Sequence, residues 1–475
     1  MNKKFIHKVI GIISLFLLIL LFAYKFVHVQ HTEYGNGLGW DGIAYAHWAQ
    51  ADNIFDLVHN KTLDKYHIQR IFPSIVVHYG SKIAHYDIKS NENIIFAFKT
   101  YDTFLIFFSA IFLWRIAKYL KWKPQVYYLS FAAVFLNSAI MHDFFYNPNL
   151  TDITAFFLGI SAYYCFIKDK LFWLIIITII GAFTFPDMLY ALLPLITFKI
   201  LDNKGEDLPN QLTKKNNLIA VIISFFMIII ALYIIPTHKI EFTLLVDRSL
   251  LPISAVCLFL YIFYTFRYYL TDLKIWIKKI FHSIIFSRLL LTAILFCAIQ
   301  LFINFNANHE AVPLSFFTYA RVIASSSLYR PLYNVLQHII FYGPIILLVI
   351  FLWNDIYLVI QTQGVGIFLF IIGFVIIGLD SESRHLFNAF PIFAILTCEA
   401  LNRRYVSWQF SYLFAALAYI TLIELPLFQE NTLSIYYVQL EKCIVLSIII
   451  YLLLKLDYVI HAGKNKISYK IEGAK

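Results

Sequence analysis

The stretch VIGIISLFLLILLFAYKFV, Val9 to Val27, decides the fold class. At about 1.5 Å per residue, a helix of this length crosses the roughly 30 Å hydrocarbon core of a bilayer. Lys3, Lys4 and Lys8 precede it and place the N-terminus in the cytoplasm. No small-residue cleavage site follows, so it reads as a retained helix, not a removed signal. Runs of the same kind recur to the end of the chain. The sequence is 60% hydrophobic and 14% charged, with a mean hydropathy of +0.72. A soluble protein of 475 residues could not hide that much apolar surface. A membrane β-barrel would show short alternating segments instead. The expectation is an all-α polytopic membrane protein.

Working outward, the Lys/Arg bias assigns each loop to a side. Spans and loops alternate for about 13 or 14 crossings in one transmembrane domain over residues 1–475, with no separate soluble domain. Residues 31–93 form a long first outer loop, and 305–340 a second. Residues 200–217 and 267–288 read as cytoplasmic, the latter with a helix lying on the inner leaflet. In the first outer loop, Ile43 to Val58 mixes Trp48, Phe55 and Leu57 with polar residues, the pattern of an interfacial helix. Leu171 to Ile200 is too short for two ordinary spans, yet basic residues flank both ends. Two short helices turning at Phe185-Pro186-Asp187 satisfy the charge rule, and Pro186, which lacks a helix donor, supports the break. Irregular backbone at membrane depth must line protein or a watery cavity, so Asp187 is expected to face one.

The net charge is +10. The basic residues fall mainly in short loops on alternate sides, which sets topology and excludes a nucleic-acid footprint. Cys165, Cys257, Cys297, Cys398 and Cys443 lie in or beside apolar runs and form neither a metal-ligand spacing nor a disulfide framework. There is no P-loop, no GxSxG and no CxxC pair. No internal repeat supports an inverted-repeat transporter.

The unusual residues collect on the outer face. Asp41 opens the first outer loop within Gly39-Trp40-Asp41-Gly42, and Arg70 follows in Arg70-Ile71-Phe72-Pro73. Asp41 suits a catalytic base; it also suits the N-cap of the helix that follows. His142, Asp143 and Asp152 lie in the next outer loop, where Thr151-Asp152 equally suits a helix start. Arg321 and Arg330 stand outside against the positive-inside rule, and Arg384 follows a span directly in the outer segment 380–385. Arginines on that side suit an anionic ligand. No cofactor is marked by a motif; a divalent metal is possible, but ligand spacing gives it no support.

This layout resembles the GT-C superfamily of polytopic glycosyltransferases, which use lipid-phosphate-linked sugars on the lumenal or periplasmic side. The text Trp40-Asp41-Gly42-Ile43-Ala44-Tyr45 with Arg70-Ile71-Phe72-Pro73 is similar to first-loop patterns of dolichyl-phosphate-mannose-dependent and related bacterial members. The block Tyr146-Asn147-Pro148-Asn149-Leu150-Thr151-Asp152 looks like a second outer loop of bacterial relatives. This chain lacks the adjacent Asp-Glu pair that many members carry in the first loop, which leaves metal use open. The resemblance implies an inverting transfer from a polyprenyl-phosphate sugar to a glycan, lipid or protein acceptor. It would take place in a bacterial inner membrane, with Asp41 as base. Arg70, His142, Asp143, Asp152, Asp187, Arg321, Arg330 and Arg384 would be substrate-binding candidates. The rival is a transporter or flippase for a lipid-linked or anionic solute, which needs charged residues deep in several spans. A third reading is a ligase or polymerase of surface glycans.

Overall fold

A computed structural model describes residues 3–28, 31–199, 214–234, 246–271, 276–277, 279–281, 285–308, 316–404, 406–425 and 432–472. The expectations for 200–213, for 272–275, 278 and 282–284 within the segment 267–288, and for 309–315 within the second long loop, lie outside these residues. Among the described residues the chain is helical, with no strand.

Helix α1 spans Lys3–His28. The first loop then folds into short helices: α2 (Trp40–Gln50), α3 (Ile54–His59), α4 (Lys65–Ile68) and α5 (Phe72–Ile83). After these come α6 (Asn91–Tyr119), α7 (Pro124–Phe135), a π turn at Ala139–Asp143 with α8 (Phe144–Tyr146), α9 (Asp152–Ile167), α10 (Leu171–Ala182) and α11 (Pro186–Thr197). The second half holds α12 (Lys214–Ile234), α13 (Leu251–Thr271), α14 (Phe286–Asn306), α15 (Phe316–Tyr329), α16 (Tyr333–Tyr342), α17 (Ile345–Phe351), α18 (Trp353–Gln363) and α19 (Val365–Ile377). It closes with α20 (Phe390–Arg403), α21 (Trp408–Glu424) and α22 (Leu433–Glu472).

Among the described residues, four helices are long and apolar enough to cross a membrane: α6, residues Asn217–Ile234 of α12, α14, and Leu433–Ile460 of α22. Two bent pairs raise the number to six, one of them α7 with the segment Ala139–Tyr146, and further apolar helices are shorter. The chain is thus an all-α protein whose apolar helices support a multi-pass membrane placement. Its outermost helices show why: Phe226 on α12, Leu301 on α14 and Leu452 on α22 are all exposed. Helices buried in protein would not turn large apolar side chains outward; helices facing lipid do.

The break in Leu171–Ile200 is present. Helix α10 ends at Ala182, Phe185 is extended, and Pro186 starts α11 at the position where its missing N–H costs nothing. The two halves pack on each other and on α9, and α11 also packs on α19. The turn between them anchors the first loop, since Phe72 N donates to Phe183 O at 2.9 Å. The first loop also rests on the loop around Tyr146–Asp152. Thr32 N donates to Tyr146 O (3.2 Å), and Gly39, at φ 77°, lies so close that a Cβ would sit 3.1 Å from Asn147 Oδ1. On the other side, α9 meets the segment leading into α20 at Gly159, where a Cβ would lie 1.9 Å from the Asn388 carbonyl oxygen.

Candidate active site

Asp41 sits in the first turn of α2. Gly39, not Asp41, occupies the cap position, and no side chain caps this helix. A carboxylate in the first turn still gains from the helix dipole. The capping expectation therefore gives way to a different contact: the Tyr66 hydroxyl donates to Asp41 Oδ2 at 3.2 Å. Burial pushes Tyr66 up to about 12, so the phenol keeps the proton that it donates. Asp64 caps α4 through His67 N (2.8 Å) and so sets the direction of Tyr66.

Arg70 follows α4 and is buried. Its guanidinium lies over the Tyr66 ring at 4.2 Å and the Phe185 ring at 4.9 Å. Nη1 donates to Tyr45 Oη across a long 3.4 Å. No described carboxylate forms an ion pair with it, and Nε is buried without a hydrogen-bond partner among the described residues. Burial works against this charge, but Tyr45 and Tyr66 outweigh it and hold the pKa above its ordinary value. A buried guanidinium with spare donors is costly unless an anion or water completes it.

The third component is the turn after α19. Asp380 is buried and accepts from Ser326 Oγ (3.1 Å) and Glu382 N (3.2 Å). His385 Nδ1 bonds Asp380 Oδ2 at 2.7 Å, and its Nε2 stands 3.5 Å from Glu382 Oε2. Arg384 Nε donates to Glu382 Oε1. Burial opposes the Arg384 charge, but Glu382 and Asp152 outweigh it and hold the guanidinium above its usual range. His385 is likewise raised: burial opposes its charge, and Asp380, Glu382 and Asp187 overcome that. Both Asp380 and Glu382 are lowered against the pull of burial, the first chiefly by His385 and the second chiefly by Arg384.

These parts share one electrostatic neighbourhood. Arg384 acts on Tyr66 and Arg70, and Asp41 and Asp152 act on Arg384. Asp152, buried at the start of α9, feels both arginines. Asp187, on α11, feels Arg70 and His385. Asp143 accepts from Asn147 Nδ2 (3.2 Å) and lies within reach of Asp152 and Arg384. Of the residues singled out by sequence, Asp41, Arg70, Asp143, Asp152, Asp187 and Arg384 are brought together. Others stand apart. The His142 ring packs on Tyr146 at 5.8 Å. Arg330 donates to Thr432 O (3.3 Å) and lies over the Tyr329 and Tyr436 rings, at the start of α22. Arg321 is half-buried on α15 and has no ion pair with a described carboxylate. Thr151 precedes α9 without a side-chain cap bond.

Sequence reading passed over Tyr45, Tyr66, Asp380, Glu382 and His385. The charged text of 380–385, set between two apolar helices, was the available signal. Asp380, Glu382 and His385 each offer one ligand atom within 4.8 Å of the others, a spacing that a divalent cation can use. Here the same atoms engage one another and Arg384. No family model, curated protein or solved structure matches this chain.

Proposed function

We propose that this chain is a membrane glycosyltransferase that moves a sugar, with inversion, from a polyprenyl-phosphate-linked donor to an acceptor on the outer side. The observation that carries this reading is the grouping of one half-buried carboxylate, Asp41, with two guanidiniums, Arg70 and Arg384, drawn from opposite ends of the chain. An inverting transfer needs a base for the acceptor hydroxyl and charge stabilisation for the departing phosphate. Asp41 takes the proton while the acceptor oxygen bonds to the anomeric carbon. The bond from that carbon to the lipid phosphate breaks, and the phosphate leaves as an anion. Arg70, which has spare donors, and Arg384 meet that charge. Tyr66, bonded to Asp41 and lying under Arg70, holds the two in register.

The full topology belongs to this proposal: about 13 or 14 crossings, the first loop and the second long loop outside, and a cytoplasmic N-terminus in a bacterial inner membrane. The acceptor is a glycan, a lipid or a protein. The test is transfer by membranes supplied with a panel of polyprenyl-phosphate sugars. Asp41→Asn should lower transfer about 10²–10⁴-fold while folded protein remains in the membrane. Full turnover in that variant removes Asp41 from the chemistry.

A transporter reading draws on α6, where Lys99 and Asp102 are buried within a candidate span and Asp102 Oδ1 has no described hydrogen-bond partner. Flux of a lipid-linked solute without any transfer product would favour it.

A further inference from the structure

Helix α16 grips the Arg384 turn through one row of side chains. Asn334, His338 and Tyr342 are spaced four apart in sequence, so they project from one face. All three are buried. Asn334 Nδ2 donates to Gly378 O at 3.1 Å. His338 Nε2 stands 2.9 Å from the same carbonyl, which can only accept, so this nitrogen carries a proton. Nδ1 is 2.8 Å from Ser383 Oγ, and in the neutral ring it accepts from that hydroxyl. Burial lowers the His338 pKa and so favours the neutral ring. Tyr342 donates to Ser383 O at 2.7 Å.

The geometry of the target explains why these bonds matter. Helix α19 ends at Ile377, so the Gly378 carbonyl is one that no helical N–H satisfies. Ser383 is next to Arg384. The row therefore holds the turn at both ends, before Asp380 and at the residue beside the guanidinium. His338 and Tyr342 border an apolar cavity of about 440 Å³, whose wall includes Leu336, Ile339, Phe374 and Phe390. Gly378 O takes both Asn334 Nδ2 and His338 Nε2, so a leucine at 338 halves its donors and also leaves the Ser383 hydroxyl without its acceptor beside that apolar wall, a loss on the scale of a buried hydrogen bond. The turn's internal bonds are short-range only, such as His385 N to Glu382 O (3.1 Å) and Phe387 N to Arg384 O (3.1 Å). They close the turn; among the described residues, its hydrogen-bonded ties to the rest of the protein are this row, at Gly378 and Ser383, and Ser326 Oγ of α15, which bonds Asp380 at 3.1 Å.

We infer that Asn334, His338 and Tyr342 are positioning residues: they fix where Arg384 stands relative to Asp41 and Arg70, and so set the affinity of the site for a phosphate-bearing lipid. This rests on the functional reading above. The row does not touch the ligand; it acts through Arg384. A row that merely stabilised the fold would act on binding whether or not Arg384 were present, and that difference is measurable.

The experiment uses the full chain in nanodiscs and a polyprenyl monophosphate as probe. His338→Leu should weaken binding about tenfold. His338→Gln, whose side-chain amide can still donate to Gly378 O, should recover most of that loss. Arg384→Gln should weaken binding on its own, and His338→Leu added to it should cause little further loss, because coupled residues are not additive. Amide exchange across residues 379–386 should speed up in His338→Leu. If His338→Leu does not fold, Tyr342→Phe removes one hydroxyl and should show the same pattern at about threefold. Equal losses with and without Arg384, or unchanged exchange across the turn, overturn the positioning role while the functional reading stands. A wild-type protein that binds no polyprenyl monophosphate overturns both.

Discussion

Replacing Gly159 with alanine sets two known effects against each other. In a helix interior, alanine is favoured over glycine by about 0.5–1 kcal/mol, so helix α9 considered alone gains from the change. The tertiary structure opposes it. The new Cβ would lie 1.9 Å from the Asn388 carbonyl oxygen and 2.9 Å from its carbonyl carbon. Contacts under about 3.0 Å are essentially never found for real Cβ atoms, so one backbone must move by more than about 1 Å. The obstacle is main chain, and no rotamer change relieves it. Overpacking of this kind costs about 1–3 kcal/mol or more, which exceeds the propensity gain, so the net sign is destabilising. Asn388 lies just beyond His385 and leads into α20, so the displacement reaches the Arg384 turn. A misplacement near 1 Å in a catalytic arrangement can lower the rate about 10²-fold. Two measurements on purified protein check this: thermal unfolding in detergent, and transfer per folded molecule. Gly159→Ala should unfold at lower temperature and lose activity together. If it unfolds at higher temperature, the propensity term has won, and the close approach of α9 to residue 388 is wrong.

Three further outcomes are expected. Arg70→Lys keeps the charge but loses the planar stack on Tyr66 and Phe185, so the donor KM should rise about tenfold with folding intact; an unchanged KM would remove Arg70 from the phosphate site. The His385 pKa is raised, so its contribution to stability is complete below about pH 6.5 and is lost as pH climbs through the raised value. Asp380 and Glu382 are lowered, so theirs is present above about pH 4 and is lost as pH falls through the depressed values. The thermal unfolding temperature should therefore fall on the alkaline side, and His385→Gln should flatten that arm; an unchanged alkaline arm would show that His385 does not carry it. Finally, a cysteine at position 61 should react with an impermeant thiol reagent from the outer side of intact cells; labelling only from the cytoplasm would reverse the topology.

Local physics made part of this molecule legible without coordinates. Apolar runs longer than the bilayer core must be helices, because a lipid-facing backbone has to satisfy its own hydrogen bonds. Pro186 marked the break in Leu171–Ile200, because it has no N–H to give, whereas Pro194 in the same segment stays inside α11. Asp41, Arg70 and Arg384 stood out because charge beside long apolar segments is rare. What Asp41 does was not readable in the same way: an acidic residue before a helix suits a cap as well as a base. Only the tertiary structure puts Gly39 in the cap position and Tyr66 against the Asp41 carboxylate, which removes the cap reading. The mutual arrangement of Arg70 and Arg384 was decided by packing alone. So was the capture of Arg330 by Thr432 and the aromatic rings at the start of α22. The same holds for the row on α16, whose Asn334, His338 and Tyr342 look unremarkable in a run of mixed residues until Gly378 and Ser383 are set beside them. Hydropathy and helix spacing act between near neighbours and survive in the sequence. Hydrogen bonds and charges joining segments tens to hundreds of residues apart depend on which helix faces meet, and that is settled only when the helices pack.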